Sequence, residues 1–143
     1  MLTVTTEVII HRPIEEVFDF IANMENNPSW QNGMLSCRYT SDPPHVQEAT
    51  YDQVAKFMGR EIVSSFTILE FDRPNKIKGS SPEGSFPITF TRMLEKTEQG
   101  TKVSALIEGD PSGFFKLAAP LMKGKVAKSV KEDYLRLKTL LEK

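Results

Sequence analysis

The chain has 143 residues, enough for one domain (1–143) with a sizeable core. Charged residues make up 26% and hydrophobic ones 39%, the balance of a folded chain and not of a disordered one. With 18 basic and 19 acidic residues the formal charge is −1, which excludes a global pull toward nucleic acid or anionic membrane.

Residues 3–11 alternate, with Val4, Thr6, Val8 and Ile10 on one side, the pattern of a half-buried strand. The opening MLTVTTEVII lacks a basic start and a small-residue cleavage site, so no signal peptide is expected. Pro13 fits the first turn of a helix, Glu15 and Glu16 favour its positive end, and Val17, Phe18 and Ile21 supply its apolar face over 14–23. Asn26, Asn27 and Pro28 break it, with room for one further helical turn before Trp30. From Leu35 to about Glu108 the period is two. Strands are expected near 35–41, 49–58, 61–71, 75–81, 85–96 and 101–109, separated by turn residues such as Met58-Gly59-Arg60, Arg73-Pro74-Asn75 and Glu98-Gln99-Gly100. Short turns between consecutive strands imply an antiparallel meander.

After Asp110-Pro111-Ser112-Gly113 the period returns to 3.6, and Asp110 or Ser112 is placed to cap a helix. Its apolar positions run Phe114, Leu117, Leu121, Val126, Val130, Tyr134, Leu137 and Leu141, and Glu132 and Arg136 stand four apart in the favourable order. Pro120 and Gly124 lie within this run, although a helix interior penalises Pro by roughly 3 and Gly by about 1 kcal/mol relative to Ala. Two readings stay open. Pro120 kinks one long helix so that its first half stands off over a pocket, with Ala118 and Ala119 leaving room, or 111–119 form a separate short helix and Pro120 begins the main one. Both put Phe114, Phe115, Leu117 and Leu121 near a cavity mouth. No apolar run reaches the ~18 residues of a membrane span.

The segments EVIIHRPIEEVFDFIANMENNPSW, FMGREI, ILEFDRPNKI, EQGTKVSALIEGDPSGFFKLAAPLM and DYLRLKTLLE together resemble the START-like, helix-grip superfamily (SRPBCC), in its polyketide cyclase/dehydrase-like branch. The resemblance spans essentially the whole chain. It implies an α+β fold: a seven-stranded antiparallel sheet wrapped around a long C-terminal helix, with two short helices after strand 1 and an elongated hydrophobic cavity between sheet and helix. Members include lipid and sterol carriers, hormone receptors, quinone-binding proteins, polyketide cyclases and hydroxylases with a metal centre. The matching motifs are turns, helix starts and core positions, which do not fix a reaction.

The two histidines, His11 and His45, are far apart, and there is no CxxC or HExxH pattern, so no metal and no cofactor is expected. Gly79-Ser80-Ser81-Pro82-Glu83 superficially looks like a nucleophile elbow, but it lacks the final Gly and sits at a strand–turn–strand corner. Cys37 excludes an internal disulfide, shares parity with Leu35 and Tyr39 as a packed residue, and suits a reducing cytoplasm. Polar groups on inward strand faces are the better candidates. Phe86, Ile88, Phe90, Arg92 and Leu94 share one face; an inward guanidinium must be paired or face a ligand carboxylate, phenolate or enolate. A bulge near Met93, or pairing with Glu70, would give Arg92 a structural role instead. Tyr51, Gln53, Ala55 and Phe57 share another face, suited to a pocket or to a sheet rim, and Ser64 is in register with Ile62, Phe66 and Ile68. Trp30 is expected at the entrance. Lys123, Lys125, Lys128 and Lys131 read as a solvated face, and no stacking motif for nucleic acid is present.

The ligand-binding set is therefore Arg92, Tyr51, Gln53, Phe57, Ser64, Phe66, Phe86, Phe90, Trp30, Phe114, Leu117 and Leu121. The expected function is binding of a small hydrophobic molecule (a lipid, sterol, quinone or polyketide-like compound), without nucleic acid or stable membrane insertion, as a monomer or homodimer. The alternative is a cofactor-free polyketide cyclase/dehydratase, for which Arg92, Tyr51 and His11 are the candidate groups but show no compelling acid–base spacing. A third class is an interaction module with a vestigial cavity.

Overall fold

The computed structural model describes residues 2–84, 86–111, 114–117 and 119–143, with the side chains of Phe114 and Phe115 outside that description. The strands are β1 (Leu2–Ile10), β2 (Met34–Tyr39), β3 (Thr50–Phe57), β4 (Arg60–Asp72), β5 (Lys76–Ser81), β6 (Ile88–Thr97) and β7 (Gly100–Gly109). All pair antiparallel in the order β1-β7-β6-β5-β4-β3-β2, so β2 to β7 form the expected meander and β1 closes on β7. Buried Leu2, Val4, Val8 and Ile10 alternate along β1 as the period-two pattern requires.

Helix α1 (Ile14–Ile21) follows β1, with Pro13 as an extended N-cap one residue before the first turn. Ile14, Val17, Phe18 and Ile21 form an i, i+3, i+4, i+7 stripe and are all buried. Phe18 meets Phe71 edge to face at 5.4 Å. The next turn is a 3₁₀ helix, Met24–Ser29, capped by the Asn23 side chain on the Glu25 N–H.

Helical segments α2 (Phe114–Leu117) and α3 (Ala119–Leu141) stand on either side of Ala118, and Pro120 falls within α3. The expected cap at Ser112 and the small residue Ala118 lie outside the described residues. Gly124 is exposed, and a Cβ there would meet nothing within 4 Å. Helix α3 packs along β1, and its last turns are tied to the β1–α1 corner. Arg12 Nε donates to the Leu141 carbonyl at 2.7 Å, Lys138 Nζ to the Ile9 carbonyl at 2.6 Å, and the His11 backbone N–H to Glu142 Oε2 at 2.8 Å. His11 is thus a structural corner residue whose ring bonds the Gln99 carbonyl, and it lies outside the cavity.

Three expectations are corrected by this packing. The inward stripe of α3 begins at Met122, fully buried, and not at Leu121, which is 69% exposed. The run 122-126-130-134 steps by four residues, whereas 121 to 126 is five, about 140° around the helix. Leu117 is likewise exposed, at 86%. On β2 a register shift between Met34 and Ser36 turns Leu35 outward and brings Met34 and Cys37 in. Arg136 bonds Asp133 and the Trp30 carbonyl, not Glu132.

Candidate functional site

Two chambers lie between the inner face of the sheet and α3. The inner one, about 170 Å³, is walled by Trp30 and Asn27, by Tyr51, Phe66, Phe90 and Arg92 of the sheet, and by Asp133 and Tyr134 of α3. The outer one, about 180 Å³, is walled by Ala55, Phe57, Ile62, Ser64 and Phe86, with Asn32, Lys56 and, from the helix, Ser129. Met34, Gln53, Ile88, Val126 and Val130 belong to both walls and form the neck.

The strand parities explain this arrangement. Tyr51, Gln53, Ala55 and Phe57 of β3 all face the chambers, as do Ile62, Ser64 and Phe66 of β4. The room comes partly from two glycines. Gly79 stands opposite Phe90 across the β5–β6 pair, and a Cβ on it would sit 2.7 Å from that ring. A Cβ on Gly109 would sit 2.6 Å from the Phe86 ring. Both aromatic rings therefore lie down on bare backbone, and neither stands up into the void.

Arg92 is the main polar feature. It is only 3% exposed, and no register shift interrupts β6 against β5 or β7, so it follows its apolar neighbours inward. Its Nε donates to the Tyr134 hydroxyl at 3.0 Å and its Nη1 to the Ile21 carbonyl at 3.1 Å. Its guanidinium carbon lies 4.7 Å from the Phe90 ring centroid and 5.2 Å from that of Trp30. Glu70, the acid expected as an alternative structural partner, pairs with Lys76 instead. None of the ion pairs among the described residues includes Arg92.

The acids that feel the charge of Arg92 are weak ones. Burial pushes the Tyr51 hydroxyl well above its ordinary range, with Arg92 pulling the other way, and pushes the Cys37 thiol up to about 11. Burial also raises Tyr39, whose hydroxyl donates to the Ala22 carbonyl at 3.0 Å. Asp133 is the carboxyl on the chamber wall. Burial raises its pKa, opposed by the Asn32 N–H at 2.9 Å and by Arg136 at 2.9 Å. Trp30 sits in the wall of the inner chamber, 1% exposed, and not at the entrance; its Nε1 and the Asn27 Oδ1 find no partner among the described residues.

Of the sequence-derived set, Arg92, Tyr51, Phe66, Phe90 and Trp30 meet in the inner chamber, Phe57, Ser64 and Phe86 in the outer, and Gln53 in both. Leu117 and Leu121 line neither, and Phe114 lies outside the described side chains. Asn27, Asp133 and Tyr134 are not in that set. The last two fall seven and eight residues after Val126, the signal that marks one helix face. Among the described residues no group of three or more His, Cys, Asp or Glu is placed to hold a metal ion, and no helix is long and apolar enough to cross a membrane.

Against known families, the one described as "Polyketide cyclase / dehydrase and lipid transport" matches residues 1–142. The chain belongs to this family. Solved structures share the helix-grip fold described above. TTHA0849 from Thermus thermophilus superposes with a TM-score of 0.82 at 20% identity, covering 96% of this chain and 94% of that one. A START superfamily protein from Mycobacterium smegmatis gives 0.78 at 13% identity over 98% and 97%. The ginseng major latex-like protein 151 from Panax ginseng gives 0.64 at 10% over 90% and 95%. At these identities the likeness is one of fold. No curated protein matches the chain.

Proposed function

We propose that this family member binds a small hydrophobic molecule in the two-chambered cavity, as a cytoplasmic carrier or receptor. The observation that carries the reading is the pair of chambers sharing Met34, Gln53, Ile88, Val126 and Val130, walled mostly by aromatic and aliphatic side chains, with Arg92 and Asp133 at the inner end and Asn32 and Lys56 on the outer wall. Apolar walls supply affinity; the polar inner end supplies orientation. The test is a thermal-shift screen of fatty acids, sterols, quinones, flavonoids and polyketides, with native mass spectrometry of whatever copurifies. Ile88→Trp, which fills the neck, should abolish any ligand-induced shift while the circular dichroism spectrum stays that of the parent. An unchanged shift in that variant would refute cavity binding.

One observation favours a second reading, a cofactor-free cyclase or dehydratase: Asp133 and Arg92 share the inner chamber. A half-buried carboxylate as base and a guanidinium beside a developing enolate are what such chemistry requires. Under this reading Asp133→Asn abolishes turnover of a polyketone substrate and leaves its binding intact; loss of both together argues for the carrier.

A further inference from the structure

We infer that the guest is a small aromatic acid of about two rings, whose acidic oxygen (a carboxylate, phenolate or enolate) is held by Arg92 at the inner end of the cavity. The inference rests on the proposed binding function and adds the charge, polarity and size of the ligand.

The charge follows from an unbalanced ledger. A buried cation is stable only when paired or well hydrogen-bonded. Arg92 donates to two neutral oxygens and, weakly, from Nη1 to the Met24 Sδ at 4.0 Å, and has no carboxylate partner among the described residues. The titratable groups that feel its field, Cys37, Tyr39 and Tyr51, are all pushed toward their neutral forms by burial. Asp133 lies on the same wall but is engaged by Asn32 and Arg136. The protein thus leaves a positive charge at the inner end of an apolar cavity, and an anionic oxygen is the group that completes it.

The orientation follows from geometry. Rings of Trp30 and Phe90 lie within 5.2 and 4.7 Å of the guanidinium carbon, so a guest approaches by the edge of the fork. Along that edge Nε and Nη1 are engaged, and no bond from Nη2 is found among the described residues. Arg92 lines the chamber, so Nη2 is the donor left for a guest.

The size follows from the volumes. A cavity of about 150 Å³ takes one benzene ring. The chambers are about 170 and 180 Å³, so each accommodates one ring and the neck joins them. The inner walls suit a flat guest. Tyr51 and Phe66 are stacked with centroids 5.1 Å apart and planes 5° from parallel, and Phe90 follows Phe66 at 6.0 Å.

The experiment compares 2-naphthoate, the neutral 2-naphthamide and decanoate by calorimetry on the wild type, R92K, R92M and the neck-filling I88W variant. Trp30, the only tryptophan in the chain, reports on the inner chamber through its emission. In the wild type the naphthoate should bind at least about tenfold tighter than either the amide or decanoate. R92M should erase the preference over the amide, R92K should keep part of it, and I88W should bind none of the three. Equal affinity for naphthoate and naphthamide overturns the charge assignment while cavity binding stands. Decanoate binding as tightly as naphthoate overturns the aromatic assignment alone. Absence of binding by all three in the wild type overturns the inference, and a negative outcome of the broader thermal-shift screen then removes the binding function too. Should R92M fail to fold, judged by circular dichroism, the wild-type comparison still decides the charge.

Discussion

Removing one oxygen atom tests how Arg92 is held. Tyr134→Phe keeps the ring, and with it the edge-to-face contact to Trp30 at 5.0 Å, but deletes the hydroxyl that accepts from Arg92 Nε at 3.0 Å. Tyr134 and Arg92 are both about 3% exposed, so water does not replace the lost partner freely. A hydrogen bond to a charged group contributes about 1.5–3 kcal/mol, and leaving a buried donor unmatched costs a similar amount. For a chain of this length the loss corresponds to a fall in Tm of about 4–12 °C. The assay is urea and thermal unfolding of wild type, Y134F, R92M and the double variant, closed as a double-mutant cycle. The coupling energy should be about 1.5–3 kcal/mol, so that Y134F costs almost nothing in the R92M background. A Y134F penalty that is the same in both backgrounds would refute the claim that the hydroxyl serves the guanidinium.

Three further outcomes are expected. The Cys37 thiol, pushed up to about 11 by burial, should react with Ellman's reagent at pH 8 only as fast as the protein opens, and denaturant should release the full reaction. Asp19 is held below the ordinary carboxylate range by the bidentate Arg73 fork at 2.7 and 2.9 Å. A carboxyl depressed in the folded state adds stability above its unfolded pKa and loses it as the pH falls through the folded one. An NMR titration should therefore find Asp19 ionising at lower pH in the wild type than in Arg73→Ala, with the stability difference between the two vanishing in strong acid. Gly124→Ala should stabilise the protein by about 0.5–1 kcal/mol in urea unfolding, since the position is helical, exposed and free of steric contact.

Much of the fold is legible in the sequence because it is periodic. Every strand and both principal helices fall within a few residues of where period two and period 3.6 put them. The same parity assigns Tyr51, Gln53 and Phe57 to one wall and carries Arg92 inward. What the periodicity misses are local departures from it. The register shift after Met34 is a backbone event that the hydropathy pattern does not mark, so Leu35 reads as inward and is not. The α3 stripe reads through Leu117 and Leu121 because both are large and apolar, although counting by fours from Tyr134 toward the N-terminus lands on Met122. Asn27 and Asp133 escape a sequence reading as site residues because a polar residue on an inward face gives no hydropathy signal, and Tyr134 reads from its apolar stripe as packing and not as a partner for Arg92. The place of Trp30 depends on a 3₁₀ turn whose direction no pattern encodes.

The glycines beneath Phe90 and Phe86 have a further consequence. They put control of guest dimensions behind the lining, in residues that touch no ligand. Alanine at position 79 would lift the Phe90 ring and shrink the inner compartment, and the same change at 109 would act through Phe86 on the outer one. Selectivity for larger or smaller molecules is thus adjustable one compartment at a time, from the far side of the wall.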